Sequence, residues 1–109
     1  MTPADIIAGL RLIQQKLRQG WCQHVMARDK NGAMCHYLSS DAVCWCIHGA
    51  SQATGVVSQD VFTPIMKLTN SEGDYAALTS WNDAPGRTQA DVIAMLDQAI
   101  ASVQTEVPL

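Results

Sequence analysis

The sequence lacks the long apolar run that a membrane-spanning helix needs. None of its hydrophobic stretches approaches the roughly 18 residues of a membrane span. Residues 1–10 have no basic lead and are interrupted by Asp5, so they do not resemble a secretory signal peptide. Internal repeats, low-complexity segments and interior linkers are absent as well. We therefore expect a protein of the cytoplasm, whose thiols stay reduced and unbridged.

The chain is long enough to bury one hydrophobic core and too short for two. It has 109 residues, of which 48% are hydrophobic and 16% are charged. A hydrophobic content this high excludes an intrinsically disordered chain. The length indicates a single domain over residues 1–109.

Charge is distributed unevenly along the chain. The formal net charge is −3, yet residues 1–30 carry five Lys and Arg against two Asp. A nucleic-acid-binding protein usually has a denser basic stripe and a basic isoelectric point, so we do not expect nucleic acid as a partner. The basic residues are typical of a solvated helix face, which still leaves an acidic protein partner open.

Capping residues and apolar spacing predict five helices. The first begins at Thr2-Pro3 and ends at Gly20, which tolerates a left-handed conformation, and its apolar residues recur every three or four positions. Gly49 weakens a helix, so we expect it where another segment packs closely. The last helix begins at Thr88, which forms a capping box with Asp91. The predicted helices span residues 3–19, 42–53, 59–68, 74–81 and 89–103.

A hairpin is predicted between the first two helices. Asn31-Gly32 is a strong hairpin signal and is flanked by two strand-like runs, Trp21–Arg28 and Ala33–Leu38. A two-residue turn there would place Arg28 opposite Cys35. The sequence thus predicts a mainly α (α+β) fold of four to five helices with one small β-hairpin near residues 21–38.

All four cysteines and all three histidines fall between residues 22 and 48. Thiolate and imidazole are natural zinc ligands, and the hairpin and the second helix could bring several of them together. The candidate metal ligands are Cys22, His24, Cys35, Cys44 and His48. No Cys-x-x-Cys motif is present, and buried free cysteine behaves as a small hydrophobe. Core packing is therefore the simpler interpretation, with zinc as the one cofactor left open.

Catalytic signatures are scarce. Cys44 and His48 could form a nucleophile–base pair oriented by Asp41, but any helix with this four-residue spacing offers the same pair. The sequence has no Gly-rich phosphate loop, nucleophile elbow, paired-histidine metalloprotease motif or calcium loop. We therefore assign no catalytic residue and favour a non-enzymatic protein.

The turn-rich stretch over residues 81–88 is the second candidate site. Its polar side chains, exposed on a loop before a helix, could bind a ligand. Alternatively, they supply turn chemistry, with Arg87 paired to an aspartate (Asp83 or Asp91) or to an acidic group outside the domain. The candidate binding residues are Trp81, Asn82, Asp83 and Arg87.

Several short motifs resemble those of a known family. They are Gly20-Trp21, Arg28-Asp29 with Gly32, Ala42-Val43-Cys44-Trp45-Cys46 with Gly49-Ala50, and Trp81-Asn82-Asp83-Ala84-Pro85-Gly86-Arg87-Thr88. With these, the chain resembles a family of short bacterial and phage proteins classed as a domain of unknown function. The phage association of that family implies an accessory protein that binds a host component, such as an inhibitor of host defence.

Three functional hypotheses follow from these observations. The first is a small cytoplasmic, non-enzymatic protein that binds a partner protein through residues 81–87 and the basic first helix, for example a phage- or prophage-encoded modulator of a host protein. The second is a metal-binding or thiol-dependent protein centred on the Cys/His cluster. The third is a homo-oligomer that sequesters a small molecule between its subunits.

Overall fold

The computed structural model describes residues 1–105, which form five helices and one two-stranded antiparallel sheet. This is the mainly α fold that the sequence predicts. No helix within residues 1–105 combines the length and the apolar character needed to cross a membrane. The elements are α1 (Pro3–Gln19), β1 (Ala27–Arg28), β2 (Cys44–Trp45), α2 (Ile47–Thr54), α3 (Gln59–Leu68), α4 (Tyr75–Asn82) and α5 (Gln89–Gln104).

The two longest helices begin with capping boxes, as predicted for α5. The Thr2 hydroxyl accepts a hydrogen bond from the Asp5 backbone N–H, and the Asp5 carboxylate accepts one from the Thr2 N–H. Thr88 and Asp91 form the same reciprocal pair at α5. The hydrogen bonds from Thr2 hold the pKa of the Asp5 carboxyl below its usual value.

A helical body made of α1, α3 and α5 encloses most of the core. The apolar stripe predicted for α1 faces inward, and each helix contributes residues that are fully buried. Burying one such side chain stabilises the fold by about 1.5–3 kcal/mol. The fully buried residues of the body are Leu10, Ile13, Leu17, Val61, Ile65, Val92, Leu96 and Ala99.

The chain reverses at residues 29–33, near the predicted turn, but the strand pairing differs from the prediction. The Asp29 N–H donates to the Ala33 carbonyl at 2.8 Å, and the Asp29 carboxylate accepts from the Asn31 and Ala33 N–H groups. Arg28 consequently lies opposite Met34 rather than Cys35. The Asp29 carboxylate thus organises a longer turn than Asn31-Gly32 alone would. The main partner of β1 is β2, with Ala27 opposite Trp45 and Arg28 opposite Cys44.

Helix α2 begins at Ile47, so the helix predicted over residues 42–53 is wrong in its first half. Residues 44–45 are extended because they bond to the end of α1: the Trp45 N–H donates to the Gly20 carbonyl, and the Cys22 N–H donates to the Trp45 carbonyl. The Cys46 side chain then caps α2, accepting a hydrogen bond from the Gly49 N–H at 3.3 Å. As a result, Cys44 and His48 do not share a helix face.

Two glycines allow this region to pack against the helices. A Cβ atom on Gly20 would lie 2.1 Å from the Val43 carbonyl oxygen, and one on Gly49 would lie 2.0 Å from the Met26 carbonyl oxygen. The close packing predicted for Gly49 is confirmed. Gly20 ends α1 as predicted, but its backbone is extended (φ 173°) instead of left-handed, so a close approach explains this glycine.

Candidate functional site

Asn82 is buried at the end of α4, although the sequence placed it on an exposed loop. Its side chain is only 2% exposed. Its Oδ1 accepts hydrogen bonds from Trp21 Nε1 (2.9 Å) and the Ile47 N–H (3.2 Å), and its Nδ2 donates to the Cys22 carbonyl (3.2 Å) and Asp83 Oδ1 (2.9 Å). One amide therefore joins α4, the start of α2 and the chain after α1.

Two side chains near Asn82, those of Gln23 and Arg87, make further contacts at the end of α4. The Gln23 side chain donates to the carbonyls of Asn82 and Ala84 at 3.1 and 3.0 Å. The Arg87 guanidinium stacks on the Trp81 ring, with 3.9 Å between the guanidinium carbon and the ring centroid, and its Nε donates to the Trp81 carbonyl. Within residues 1–105, Arg87 forms no ion pair, so the predicted pairing with Asp83 or Asp91 is wrong. The Trp81 ring and carbonyl bind its guanidinium instead.

The cysteines lie in or beside the small sheet, and all four carry free thiols. Burial and the neighbouring Cys44 thiol raise the pKa of Cys22 to about 12. Burial is also the main cause that raises the pKa values of Cys35 and Cys46. Reactive cysteines need a lowered pKa, so these three thiols have the character of packed, neutral groups.

The five predicted metal ligands do not converge. In the part of the chain that the structure describes, no three His, Cys, Asp or Glu side chains are grouped closely enough to hold a metal ion. The physical reason is the late start of α2, which separates His48 from Cys44 and from the strand that carries it.

His24 and His48 nevertheless line one cavity, together with Cys46 and Asp83. The cavity has a volume of about 120 Å³ and lies between residues 24–26, the start of α2 and one side of α4. We call it the His24–Asp83 cavity. It is lined by His24, Val25, Met26, Cys46, Ile47, His48, Leu78, Thr79, Asn82 and Asp83.

Asp83 holds His24 in an unusual backbone conformation. The φ angle of His24 is 74°, a left-handed value that is uncommon for a residue other than glycine. Its N–H donates to Asp83 Oδ1 at 2.9 Å, and its ring Nδ1 lies 3.8 Å from Asp83 Oδ2. The imidazole is thereby held at the mouth of the cavity.

Sequence reasoning singled out His24, His48 and Asp83 but missed Cys46 and Thr79 as neighbours of the same cavity. The sequence places Cys46 inside the helix predicted over residues 42–53, whereas it caps α2. No sequence motif identifies Thr79, because its position in the cavity lining arises only from the packing of α4 against α2.

The motifs of residues 20–50 and 81–88 contain the residues bonded to Asn82 and most of the cavity lining. The chain belongs to DUF6197, a family of unknown function. The family's model matches residues 1–102, so the predicted resemblance to a family of unknown function is confirmed. No curated protein and no solved structure matches the chain.

The segment between β1 and β2, residues 29–43, exposes three large apolar side chains. Met34 is 72% exposed, Leu38 66% and Val43 46%. A stretch of this length without a helix or strand is uncommon in a small domain, and long ordered loops often carry binding residues. We call it the 29–43 segment.

The basic end of α1 borders this segment. Gly20 packs directly against the Val43 carbonyl, and the last turn of α1 carries Lys16 and Arg18. Lys16 Nζ lies 4.4 Å from the centre of the Trp45 ring, whose Nε1 donates to the Tyr37 carbonyl. Of these two residues, Lys16 therefore contacts this region, whereas Arg18 lies beside Gln89 and Asp97 of α5.

Proposed function

We propose that this protein is a small, non-enzymatic binding protein that docks a partner protein on the 29–43 segment. The observation that carries the proposal is the exposure of Met34, Leu38 and Val43 in one irregular segment. Loops carry binding residues more often than the elements they connect, and exposed apolar side chains on a loop can anchor a partner. Covering each of them fully would contribute about 1.5–3 kcal/mol.

The charges beside the segment indicate the chemistry of the partner. Lys16, which lies over the Trp45 ring, is the basic residue of α1 beside the segment, and the segment itself carries Asp29, Lys30 and Asp41. Complementary charge at the rim of an interface steers association and selects partners. We therefore expect a partner with an apolar contact patch rimmed by charged residues of both signs.

This proposal moves the binding surface away from residues 81–87. Asn82 uses its side chain in hydrogen bonds within the fold, and Arg87 is held on Trp81. The function itself stays as the sequence suggested: a cytoplasmic interaction protein, with a phage- or prophage-encoded modulator of a host protein as its concrete form. The resemblance to bacterial and phage proteins supports that form.

The test is affinity capture from the native host, followed by binding measurements on the purified partner. The double variant Met34→Ser/Leu38→Ser removes two exposed apolar groups, and we expect it to bind at least about tenfold more weakly. Val57→Ser is the matched control, because Val57 is also an exposed apolar residue (58%) but lies between α2 and α3.

Equal binding by the double variant and by Val57→Ser would overturn the proposal. So would a homo-oligomer that dissociates in the double variant, because a second copy would then be the occupant of the 29–43 segment. Circular dichroism on each variant shows that the fold is retained.

A further inference from the structure

We propose that the His24–Asp83 cavity binds the protonated amino group of a small primary alkylamine. This site is independent of the partner surface, since none of Met34, Leu38 and Val43 lines it. The inference rests on the Asp83 carboxylate oxygen that accepts no hydrogen bond, on the backbone conformation of His24, and on the size and lining of the cavity.

The Asp83 carboxylate is saturated on one oxygen and free on the other. Oδ1 accepts hydrogen bonds from the His24 N–H and from Asn82 Nδ2, both at 2.9 Å. Oδ2 accepts no hydrogen bond from any group in residues 1–105, and the one Lys, Arg or His nitrogen within 4.0 Å of it there is His24 Nδ1, at 3.8 Å. Asp83 is part of the cavity lining, so a ligand there can supply the donor that Oδ2 lacks, and a charged donor gives the strongest bond.

His24 is held in an unfavourable backbone conformation beside Asp83. A left-handed conformation in a residue other than glycine costs of the order of 1 kcal/mol or more, and such strain concentrates at binding sites. The hydrogen bond to Asp83 and the two bonds from Gln23 to the end of α4 hold the turn in place. The imidazole, 66% exposed, stands at the mouth, where a ring nitrogen can accept from the same donor.

Volume limits the part of a ligand that the cavity can enclose to a few atoms. A cavity of about 150 Å³ accommodates benzene, so the 120 Å³ here suits about five non-hydrogen atoms. Ile47 and Leu78 give part of the lining an apolar character, which fits a short alkyl chain. The Thr79 side chain is also part of the lining and offers a hydroxyl oxygen as a further acceptor.

The sign of the charge favours an ammonium group over an anion. Asp83 is the carboxylate in the lining, and it would repel a negatively charged ligand. Cys46 adds no charge, because burial raises the pKa of its thiol. A neutral alcohol could reach Oδ2, but it would lack the charge assistance that about doubles the strength of such a hydrogen bond.

The experiment is an NMR titration of the whole protein with n-butylamine, n-butanol and butyrate, following the imidazole C–H signals of His24 and His48. We expect saturable shifts with n-butylamine, at least about tenfold weaker binding of n-butanol, and no binding of butyrate. The proposal is overturned if n-butanol binds as tightly as n-butylamine.

A pair of isosteric variants identifies the residue responsible. Asp83→Asn keeps the Oδ1 acceptor and replaces only the free Oδ2, so it should retain the fold and bind n-butylamine at least about tenfold more weakly. Asp97→Asn is the control: it removes the same charge from α5, where Asp97 Oδ1 accepts from Gln14, and it should bind normally. Unchanged affinity in Asp83→Asn would overturn the proposal.

A second variant and a second amine complete the design. Thr79→Val removes the exposed hydroxyl at nearly constant shape and should weaken binding about two- to tenfold, which decides the question if Asp83→Asn fails to fold.

A lysine with blocked α-amino and carboxyl groups tells the two sources of such an amine apart. Tighter binding than n-butylamine identifies a protein side chain, and weaker binding a free amine. The Met34→Ser/Leu38→Ser variant should bind n-butylamine normally, so this test and that of the partner surface can fail separately.

Discussion

The helical body and the irregular region of this protein are stabilised in different ways. In the body, α1, α3 and α5 bury many apolar side chains against one another, and no single contact dominates. In the irregular region, residues 20–46, order depends on two close backbone approaches and on the Asn82 amide. The first kind of stability is spread over a surface, and the second is concentrated in a few polar atoms.

The largest effect is expected in the body, from Leu96→Ala. Leu96 is fully buried in α5, and removing three carbons from such a site costs about 2–5 kcal/mol because the cavity that remains collapses only partly. Urea denaturation should show one cooperative transition at a lower midpoint, since the body is shared by all the long helices. Gln98→Ala, at an exposed position of the same helix, serves as the control. A loss below about 1 kcal/mol would mean that the body is loosely packed there.

A smaller and more local effect is expected from Asn82→Ala. The change leaves the buried Ile47 N–H without its acceptor, which costs about 1–3 kcal/mol, whereas water can replace the acceptor of the half-buried Trp21 Nε1. Hydrogen exchange should accelerate first in residues 20–28 and 43–47, while the amides of α1 and α5 stay protected. Equal acceleration throughout the chain would contradict the contrast between the two regions, because Asn82 would then stabilise the body as well.

The smallest effect concerns the response of the irregular region to pH. The pKa of Cys22 is raised to about 12 in the fold, whereas an unfolded thiol ionises near pH 8.5. Above that pH the unfolded chain binds fewer protons than the folded chain, so the free energy of unfolding falls as pH rises toward 12. We expect urea midpoints to decline above about pH 9 in the wild type and to decline less in Cys22→Ala.

Some loss of stability at alkaline pH should persist in Cys22→Ala, because the pKa values of Cys35 and Cys46 are raised as well. Parallel midpoint profiles for the wild type and Cys22→Ala would show that the Cys22 thiol is not the group responsible.

The success of the sequence predictions follows the same division. The starts of α1, α3 and α5 were predicted correctly, because a capping side chain contacts a backbone group only two or three residues away. In the irregular region, the turn was predicted but its strand partner was not. The predicted start of α2 is wrong because the pairing of residues 20–22 with Trp45 overrides the local preference for a helix.

The candidate site shows this limit most clearly. The sequence identified His24, His48 and Asp83 as polar residues of interest but assigned them to two different sites. They share a cavity because the His24 N–H bonds to Asp83, 59 residues further along the chain. Asn82 appeared exposed for the same reason, since its partners lie far from it in sequence.

The sequence alone therefore determined the mainly α class, most of the helix ends and the apolar stripe of the body. Those features arise from interactions within one helix turn and from a periodicity that can be read directly. The tertiary structure decided the course of residues 20–46, the burial of Asn82 and the His24–Asp83 cavity. These depend on backbone hydrogen bonds, close approaches and side-chain contacts between segments up to 61 residues apart, which no local pattern encodes.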